Sequence, residues 1–323
     1  MYVRLAGRVR VNTASLNAQG TVGNVIELAR AHILVEVDGK YELIEVPVIS
    51  GNTVKHWHFV HFVKAYKELG GGNLCKYCSR LIGYRSPDKG GKSEEYFVKK
   101  CAGEDLHGFL QPENNVRRES LVKVSFLIPV EKIESRFDTM THNRLVLKKE
   151  GVVDDQAMML FKRQYSSSLY GFLLLLDLWY VGRLLYDGEN KLVLEEDEVK
   201  RRSEAALIAL IPLLAGEIGA SRSRAQPVWK VEELIATWSS RPIPPLIHGH
   251  YKDYVEGSAR TLAVFSGLTG VDAEFLVYGV NSEVLKKVRE ILEGSRVKLV
   301  EKDSWQELIK YLIEKYESST GAH

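Results

Sequence analysis

The sequence predicts an α+β protein built on one small sheet with large insertions. Three observations support this prediction: residues 3–11 alternate between apolar and polar types, residues 168–181 are almost continuously apolar, and residues 52–69 carry a helical apolar stripe. Alternation is typical of a strand with one buried face, whereas an unbroken apolar run indicates a strand buried on both faces. A length of 323 residues allows one elaborated domain or two.

A strand, a hairpin and a helix follow one another at the N-terminus. In the strand 3–11 the apolar residues point to one side and three arginines to the other, which predicts a solvated face or, alternatively, phosphate contacts. Two apolar runs around Asp38-Gly39 predict a hairpin, because this pair accepts the positive φ of a type I′ turn. The helix 52–69 ends at three consecutive glycines.

Further strands and a second helix complete the predicted core. Residues 122–128 alternate as a second core strand, the buried strand follows, and residues 228–238 form the last strand. A helix over 195–215 precedes that last strand, and Pro212 kinks or shortens it. Without the insertions the order is strand, helix, strand, strand, helix, strand. This is the order of the ferredoxin-like split βαβ fold, which RNA-recognition modules share.

The chain is thereby divided into a discontinuous core and three further segments. The core comprises residues 1–69, 121–130 and 165–240, the insertions are 70–120 and 131–164, and a C-terminal mixed region covers 241–323. The first insertion is polar and basic, lacks sustained periodicity and contains all three cysteines. A segment with so little apolar content needs another source of stability, which a bound metal can provide.

Composition and charge restrict the class of protein. Apolar residues make up 45% of the chain and charged residues 27%, and the formal net charge is +2. These values are ordinary for a soluble globular protein, so a nucleic-acid partner must be bound by a local basic patch. An evenly mixed surface is the alternative. The longest apolar run is too short to span a bilayer, and the cysteine content and N-terminus predict a reducing cytoplasm without membrane contact.

Small polar groups that can hold a phosphate chain are concentrated in two N-terminal segments. A long loop after the first strand offers short side chains and backbone N–H groups, and the helix at 52 begins with free N–H groups and a macrodipole that favour an anion. An ordinary connecting loop and a plain helix cap are the alternatives. The candidates are Asn12, Thr13, Ser15, Asn17, Asn24, Ser50, Asn52, Lys55 and His56.

Six segments, in order along the chain, resemble one known family. They are VRLAGRVRVNTASLNAQGTVGN at 3–24, VPVISGNTVKHWHF at 46–59, GFLQPENNVRRESLVKVSF at 108–126, THNR at 141–144, YGFLLLLDL at 170–178 and LIPLLAGEIGASRSRAQPVWKVEEL at 210–234. Together they are similar to the DevR-type branch of the CRISPR-associated RAMP superfamily, the backbone subunits of archaeal type I-A Cascade. The resemblance covers most of the chain up to about residue 260.

The resemblance implies a ferredoxin-like core with inserted side domains and a role in antiviral defence. It implies several copies stacked as a helical filament along one CRISPR RNA, with other Cascade subunits as partners. The guide bases then pair with target DNA, and a separate helicase-nuclease cuts. It also implies that 131–164 holds a thumb-like hairpin over the RNA and that GASRSRAQP is a glycine-rich loop. The candidates there are His142, Asn143, Arg144, Lys148, Lys162, Arg163, Gln164, Arg222, Ser223 and Arg224.

The cysteines form a candidate zinc site. Cys75 and Cys78 make a CxxC pair, and Cys101 and His107 follow farther along the chain. Three thiolates and one imidazole suit tetrahedral zinc, although the spacing matches no standard finger and the fourth ligand stays open. A redox role is the alternative, but the pair does not follow a thioredoxin-like strand. No other cofactor is expected.

No catalytic constellation is recognisable in the sequence, so we expect no enzymatic activity. The adjacent carboxylates Asp154 and Asp155 point in different directions, and no Walker-type glycine loop is present. The enzymatic alternative is a metal-independent endoribonuclease that processes CRISPR RNA, as some RAMP relatives do. Such an enzyme would use His56 or His142, because histidine suits general acid–base chemistry near neutral pH.

Overall fold

The structure is a computed structural model that describes residues 1–12, 16, 18–22, 25–85, 88–130, 138–144, 159–219 and 226–320. Its strands are β1 (Tyr2–Asn12), β2 (Ala18–Val22), β3 (Val25–Leu28), β4 (Arg30–Val37), β5 (Lys40–Pro47), β6 (Phe109–Gln111), β7 (Val116–Arg118), β8 (Val122–Val124), β9 (Ile128–Pro129), β10 (Asp138–Arg144), β11 (Met159–Tyr165), β12 (Ser167–Leu176), β13 (Trp229–Ser239), β14 (Ala273–Tyr278) and β15 (Val297–Glu301). Its helices are α1 (Gly51–Glu68), α2 (Glu94–Lys100), α3 (Ala102–His107), α4 (Glu196–Ile208), α5 (Leu210–Leu214), α6 (Tyr254–Thr269), α7 (Ser282–Leu292) and α8 (Trp305–Thr320).

A mixed sheet forms the centre of the protein. Its strand order is β15-β14-β13-β1-β12-β8, and β9 also pairs with β12. Strand β1 is antiparallel to both β12 and β13, whereas β14 and β15 are parallel to each other. The expected C-terminal region 241–323 therefore continues the main sheet, because β14 pairs with the second edge of β13. A hydrogen-bonding edge of this kind is usually covered or paired.

Both faces of the sheet are covered by helices of the same chain. On one face Leu5 of β1 belongs to a core cluster with Phe62 of α1 and Leu312 of α8. On the other face Ala6 of β1 belongs to a second cluster with Leu262 of α6. Successive strand residues point to opposite faces, so neighbouring positions of β1 enter different clusters. A ligand must therefore bind at an edge or an end of this sheet rather than across its surface.

The three arginines of β1 differ in their exposure to solvent. Arg4 is buried and its Nη1 lies 2.8 Å from Asp177 Oδ1. Arg8 donates from Nε to the carbonyl of Gly249 at 2.9 Å, and Arg10 pairs with Glu232 at 2.5 Å. The expected polar, solvent-facing side is therefore limited to Arg10, whose side chain is 66% exposed, because residues 243–254 cover Arg4 and Arg8. These arginines are engaged within the protein and are not part of the candidate interface.

The N-terminal hairpin and helix follow the sequence prediction. Strands β4 and β5 pair from Arg30 to Pro47, and the turn residues Asp38 and Gly39 have φ values of 50° and 74°. Positive φ at both positions is what a type I′ turn requires. Helix α1 ends at Glu68, and Gly70 follows with φ of 81°. The residues at the turn and at the helix end were therefore sufficient to predict these two elements.

Three predicted elements are shorter or broken in the structure. The strand over 122–128 stops after Val124, because residues 125–127 bulge out of the ladder before Ile128 pairs with Gly171. The helix over 195–215 divides at Ala209 into α4 and α5. The apolar run 168–181 is a strand only to Leu176, and a short 3₁₀ turn follows. None of the helices in the described ranges has the length and apolar character needed to cross a bilayer.

The segment 70–120 shares the main core rather than forming a core of its own. Cys78, Cys101 and Leu106 belong to the same buried cluster as the sheet. Arg118 is also buried and donates to Asp105 Oδ1 at 2.6 Å. This segment is therefore packed into the body of the protein, and few apolar residues suffice because α1 and the sheet supply the rest.

Three glycines allow a chain segment to lie flat on the sheet. Gly249 packs against Gly7 of β1 and Gly171 of β12, and a Cβ on any of the three would overlap backbone atoms. His248 and His250 flank this crossing. His248 Nε2 lies 2.9 Å from Ser125 Oγ, and His250 Nδ1 lies 2.6 Å from the carbonyl of Pro129. The segment therefore holds the bulge between β8 and β9.

Candidate nucleic-acid interface

An open groove lies between the start of α1 and the edge strand β8. Its volume is about 480 Å³. We call it the α1 groove, and it is lined by Ser50, Gly51, Asn52, Lys55, Glu119, Ser120, Val122, Lys123, Val124, Ser125 and Phe126. Three of the residues predicted for phosphate binding, Ser50, Asn52 and Lys55, are thus brought together. The fourth predicted member of this segment, His56, is exposed on the same turn of α1.

The sequence Ser-Gly-Asn starts α1 for reasons of local geometry. Ser50 is the N-cap, and its Oγ accepts the N–H of Thr53 at 3.2 Å. Gly51 lies against β8, where a Cβ would approach the carbonyl oxygen of Val124 to 2.6 Å. The Ser50 hydroxyl is therefore already used as a cap. The amides of Gly51 and Asn52 belong to the first turn, which has no intrahelical acceptors for them.

Two lysines give the α1 groove its positive charge. Burial lowers the pKa of Lys55, the nearby Arg85 lowers it further, and Glu119 raises it. Lys123 lies 3.2 Å from Glu119 and 3.4 Å from Asp177. A phosphate in this groove would favour the charged form of Lys55, because an opposite charge nearby stabilises an ammonium. The groove therefore combines amide donors with two ammonium groups.

His56 differs from Lys55 in charge state. Partial burial lowers its pKa, and Arg85 lowers it further. The imidazole is therefore neutral at pH 7, so it can donate one hydrogen bond but adds no charge to the interface. Its ring stands edge-on to Trp57, with centroids 6.1 Å apart.

Phe126 also lines the α1 groove, although the sequence analysis did not predict it there. It was interpreted as a core position of the strand 122–128, but 49% of its surface is exposed. The bulge turns it outward while Leu127 is buried and pairs with Ile49 across an isolated bridge. Three consecutive apolar residues at 126–128 were the available signal, since one face of a strand cannot take all three. Lys123 and Ser125 were also missed.

Strands β10 and β11 share a sheet with strands β2 and β3 near the N-terminus. Strands β10 and β11 are antiparallel, and His142 pairs with Phe161 while Thr141 pairs with Lys162. Strand β11 also pairs in parallel with β3, and Lys162 lies opposite Val25. The four strands β10-β11-β3-β2 make a second sheet. The structure thus brings the predicted residues of 141–144 and 162–164 onto neighbouring strands.

Backbone register aligns these residues along the ladder. Asn143 lies opposite Leu160, and Gln164 lies opposite Thr139. Asn12 ends β1 opposite Ser167. The remaining candidates lie beyond the part of the chain that the structure describes: Thr13, Ser15, Asn17, Asn24, Lys148, Arg222, Ser223 and Arg224.

The three cysteines are brought together, but His107 is not one of their group. The Sγ atoms of Cys75, Cys78 and Cys101 all lie within 4.8 Å of one another, and no other histidine or carboxylate of the described residues belongs to this group. His107 Nε2 instead lies 3.0 Å from His58 Nδ1. Placing His107 among the ligands was therefore wrong, because its ring packs within α1 and α3.

Comparison with known proteins agrees with the resemblance seen in the sequence. A family model described as "CRISPR-associated negative auto-regulator DevR/Csa2" matches residues 5–259. A "CRISPR-associated protein Cas7/Cst2/DevR" from Methanocaldococcus jannaschii is 41% identical over 94% of this chain and 100% of that protein. A protein with the same description from Thermoproteus tenax is 36% identical over 90% of each chain.

A third relative has a more specific description. The "CRISPR-associated aCascade subunit Cas7/Csa2 2" of Saccharolobus solfataricus is 28% identical over 91% of this chain and 95% of that protein. The family model spans well over half of the sequence, and two relatives exceed 30% identity over nine tenths of it. The chain therefore belongs to the DevR/Csa2 family of CRISPR-associated proteins.

Proposed function

We propose that this protein is a non-catalytic backbone subunit that polymerises along the CRISPR RNA in a type I Cascade interference complex. It presents the guide for pairing with target DNA and contacts other Cascade subunits. Family membership supports the CRISPR association, and one relative is described as an aCascade subunit. The observation that carries the RNA-binding assignment is the α1 groove, where first-turn amides and two lysines face one open volume.

The chemistry of the α1 groove suits an RNA backbone better than a particular base. Asn52, Lys55 and Lys123 offer amide and ammonium donors, which bind phosphates without reading sequence. The exposed ring of Phe126 at the same groove offers a stacking surface, and every base has a π-face that can use it. The groove therefore fits single-stranded RNA of any sequence, as a guide-binding subunit requires.

The second sheet extends the proposed interface. Its ladder holds His142, Asn143 and Arg144 next to Lys162 and Arg163, and it includes strands of the N-terminal loop region. Because both regions share one sheet, residues 138–144 and 159–165 are suited to form a thumb-like arm over the RNA. The arm would meet the neighbouring subunit of the filament and interrupt guide–target pairing at intervals.

The proposal includes a ferredoxin-like core, which the strand order supports. Strands β1 and β8 flank α1 in the chain, and β12 and β13 flank α4 and α5. In the sheet the order is β13-β1-β12-β8 with antiparallel neighbours, so each βαβ unit encloses a strand of the other. This interleaving supports the split βαβ arrangement. Strands β14 and β15 extend it.

A binding experiment on the purified full chain tests the proposal. Labelled single-stranded RNAs of two unrelated sequences and increasing length are titrated at several salt concentrations. We expect similar affinities for both sequences, weaker binding as salt rises, and assemblies whose mass grows with RNA length. Negative-stain images of the longest assemblies should show regular filaments. RNA-free monomers without single-strand affinity at moderate salt would contradict the proposal.

A cleavage assay tests the non-catalytic part separately. CRISPR repeat RNA is incubated with the protein, with and without EDTA, and the products are separated on a denaturing gel. We expect intact RNA in both conditions. Specific cleavage that disappears in His56→Ala or His142→Ala would instead assign the protein as a processing endoribonuclease, while leaving the binding result unaffected.

A further inference from the structure

The cysteine group has the geometry of a metal site. The three Sγ atoms lie within 4.8 Å of one another, and all three cysteines are buried. Zinc–sulfur bonds of about 2.3 Å in a tetrahedron separate the sulfurs by roughly 3.8 Å. A small contraction of the existing arrangement would therefore place one ion at bonding distance from all three. Cysteines from separate parts of the chain, at 75–78 and at 101, make up this group.

Two hydrogen-bond donors point at the sulfurs of this group. The backbone N–H of Cys78 donates to Cys75 Sγ at 3.4 Å. The guanidinium of Arg85 donates from Nη1 to Cys78 Sγ at 3.2 Å, while its plane lies over Phe59 at 3.9 Å from the ring centroid. Three thiolates and one divalent cation carry a net charge of minus one. Arg85 offsets that charge where water has little access.

The backbone is packed closely around the group. Gly103 lies so near that a Cβ there would be 2.9 Å from Cys78 Sγ. The two cysteine segments are also joined by a hydrogen bond from the Ala102 N–H to the Asn73 carbonyl at 2.8 Å. Close packing at Gly103 and the hydrogen bond between the two segments restrict the movement of the cysteines, which pre-organises a ligand set.

We propose that Cys75, Cys78 and Cys101 bind one zinc ion through three thiolates, with a small exogenous ligand such as water in the fourth position. Thiolate ligands select soft or borderline ions such as zinc over magnesium and calcium. Binding would release the thiol protons and tie the segment after α1 to α3. This site is separate from the α1 groove, and the inference does not depend on the proposed RNA binding.

Metal analysis of the untagged, full-length protein tests this inference. The protein is purified through chelator-treated buffers, and its zinc, iron and copper contents are measured by elemental analysis. We expect about one zinc per chain, as a single site of three thiolates would hold. The Cys101→Ser variant should lose the zinc. Ser79→Ala is the matched control, because it changes an exposed hydroxyl next to the group and should keep the metal.

A second measurement on the unmodified protein covers the case in which Cys101→Ser fails to fold. Zinc is removed with a chelator, and Co²⁺ is added in its place. We expect an intense thiolate-to-cobalt charge-transfer band, and a lowered thermal midpoint of the metal-free protein that zinc restores and magnesium does not. Three freely titratable thiols without metal, a Cys75–Cys78 disulfide found by mass spectrometry, or equal zinc in Cys101→Ser would each overturn the inference.

Discussion

His58 and His107 form a neutral pair inside the core, with His58 Nδ1 3.0 Å from His107 Nε2. The Nε2–H of His58 donates to the carbonyl of Ala206 at 3.1 Å, so its Nδ1 accepts a hydrogen bond from His107. Burial lowers the pKa of His58 to about 4 and lowers the pKa of His107 well below its usual value. Both rings are therefore uncharged at pH 7, and the pair stabilises the contact between α1, α3 and α4.

This pair predicts a loss of stability in mild acid. A histidine with a lower pKa in the folded state takes up its proton first in the unfolded chain. The stabilisation is therefore complete above the unfolded value of 6.5 and is lost as the pH falls towards about 4. For His58 alone, the free energy of unfolding that is lost over this whole pH range is about 3 kcal/mol. Urea denaturation between pH 7.5 and 5 should show about 2 kcal/mol of this loss.

The His58→Gln variant supplies the comparison for that measurement. It should be less stable at pH 7.5 and show a flatter dependence of unfolding free energy on pH, because one buried proton-binding site is gone. His32→Gln, on the exposed hairpin β4–β5, should keep the slope of the unaltered protein. Equal slopes for all three proteins would contradict the assignment.

Arg202 holds a buried ionic network together. It is fully buried, with Nη1 2.9 Å from Asp105 Oδ2 and Nε 2.8 Å from Glu198 Oε1. Arg202→Ala would leave uncompensated buried carboxylate charge and should lower the free energy of unfolding by about 3–5 kcal/mol. Arg201→Ala removes a more exposed partner of Glu198 and should cost less than about 1 kcal/mol. Chemical denaturation of both variants checks the difference, and similar losses would argue against the network.

Lys55 should contribute one phosphate contact in the α1 groove. Lys55→Ala is expected to weaken single-stranded RNA binding by about fivefold, which corresponds to about 1 kcal/mol. The slope of log affinity against log salt should decrease by about 0.7, because one fewer counterion contact is made. Lys64→Ala, exposed farther along α1, is the control. Fluorescence anisotropy at several salt concentrations measures both quantities, and an unchanged slope for Lys55→Ala would exclude the contact.

Phe126 should contribute by stacking rather than by charge. Phe126→Ala is expected to weaken RNA binding by about 1–3 kcal/mol, while the salt dependence stays the same. Phe126→Tyr should restore the affinity. With abasic RNA of the same length, Phe126→Ala and the unaltered protein should bind with equal affinity, because no base is available to stack. Tyr186→Ala, another exposed aromatic, is the control. A loss that persists with abasic RNA would point to a structural effect.

Gly171 lies where residues 247–251 cross the sheet, and this position should tolerate no side chain. Gly171→Ala would place a Cβ against the backbone nitrogen of His250 and should cost about 1–3 kcal/mol or more. Gly267→Ala in the exposed part of α6 meets nothing within 4 Å and should stabilise the protein by about 0.5–1 kcal/mol. Thermal denaturation should therefore shift in opposite directions for the two variants. A neutral Gly171→Ala would mean that the segment 247–251 does not lie on the sheet.

Part of the candidate site was visible in the sequence because it depends on neighbours in the chain. Ser50 at the start of α1, with Asn52 and Lys55 in the next turn, follows from cap preference and helical spacing. Phe126 and Lys123 join them only because β8 packs beside α1. The bulge that exposes Phe126 is held by His248, whose Nε2 lies 2.9 Å from Ser125 Oγ.

The sequence by itself determined the hairpin turn at Asp38, the extent of α1, the first and last core strands and, through its resemblance, the family. Each of these depends on residues a few positions apart, or on similarity along the whole chain. Only the tertiary structure decided that both sheet faces are covered, that His107 pairs with His58 rather than with the cysteines, and that β14 and β15 continue the sheet. These relationships join residues far apart in the chain, and no local periodicity encodes which distant surfaces will pack together.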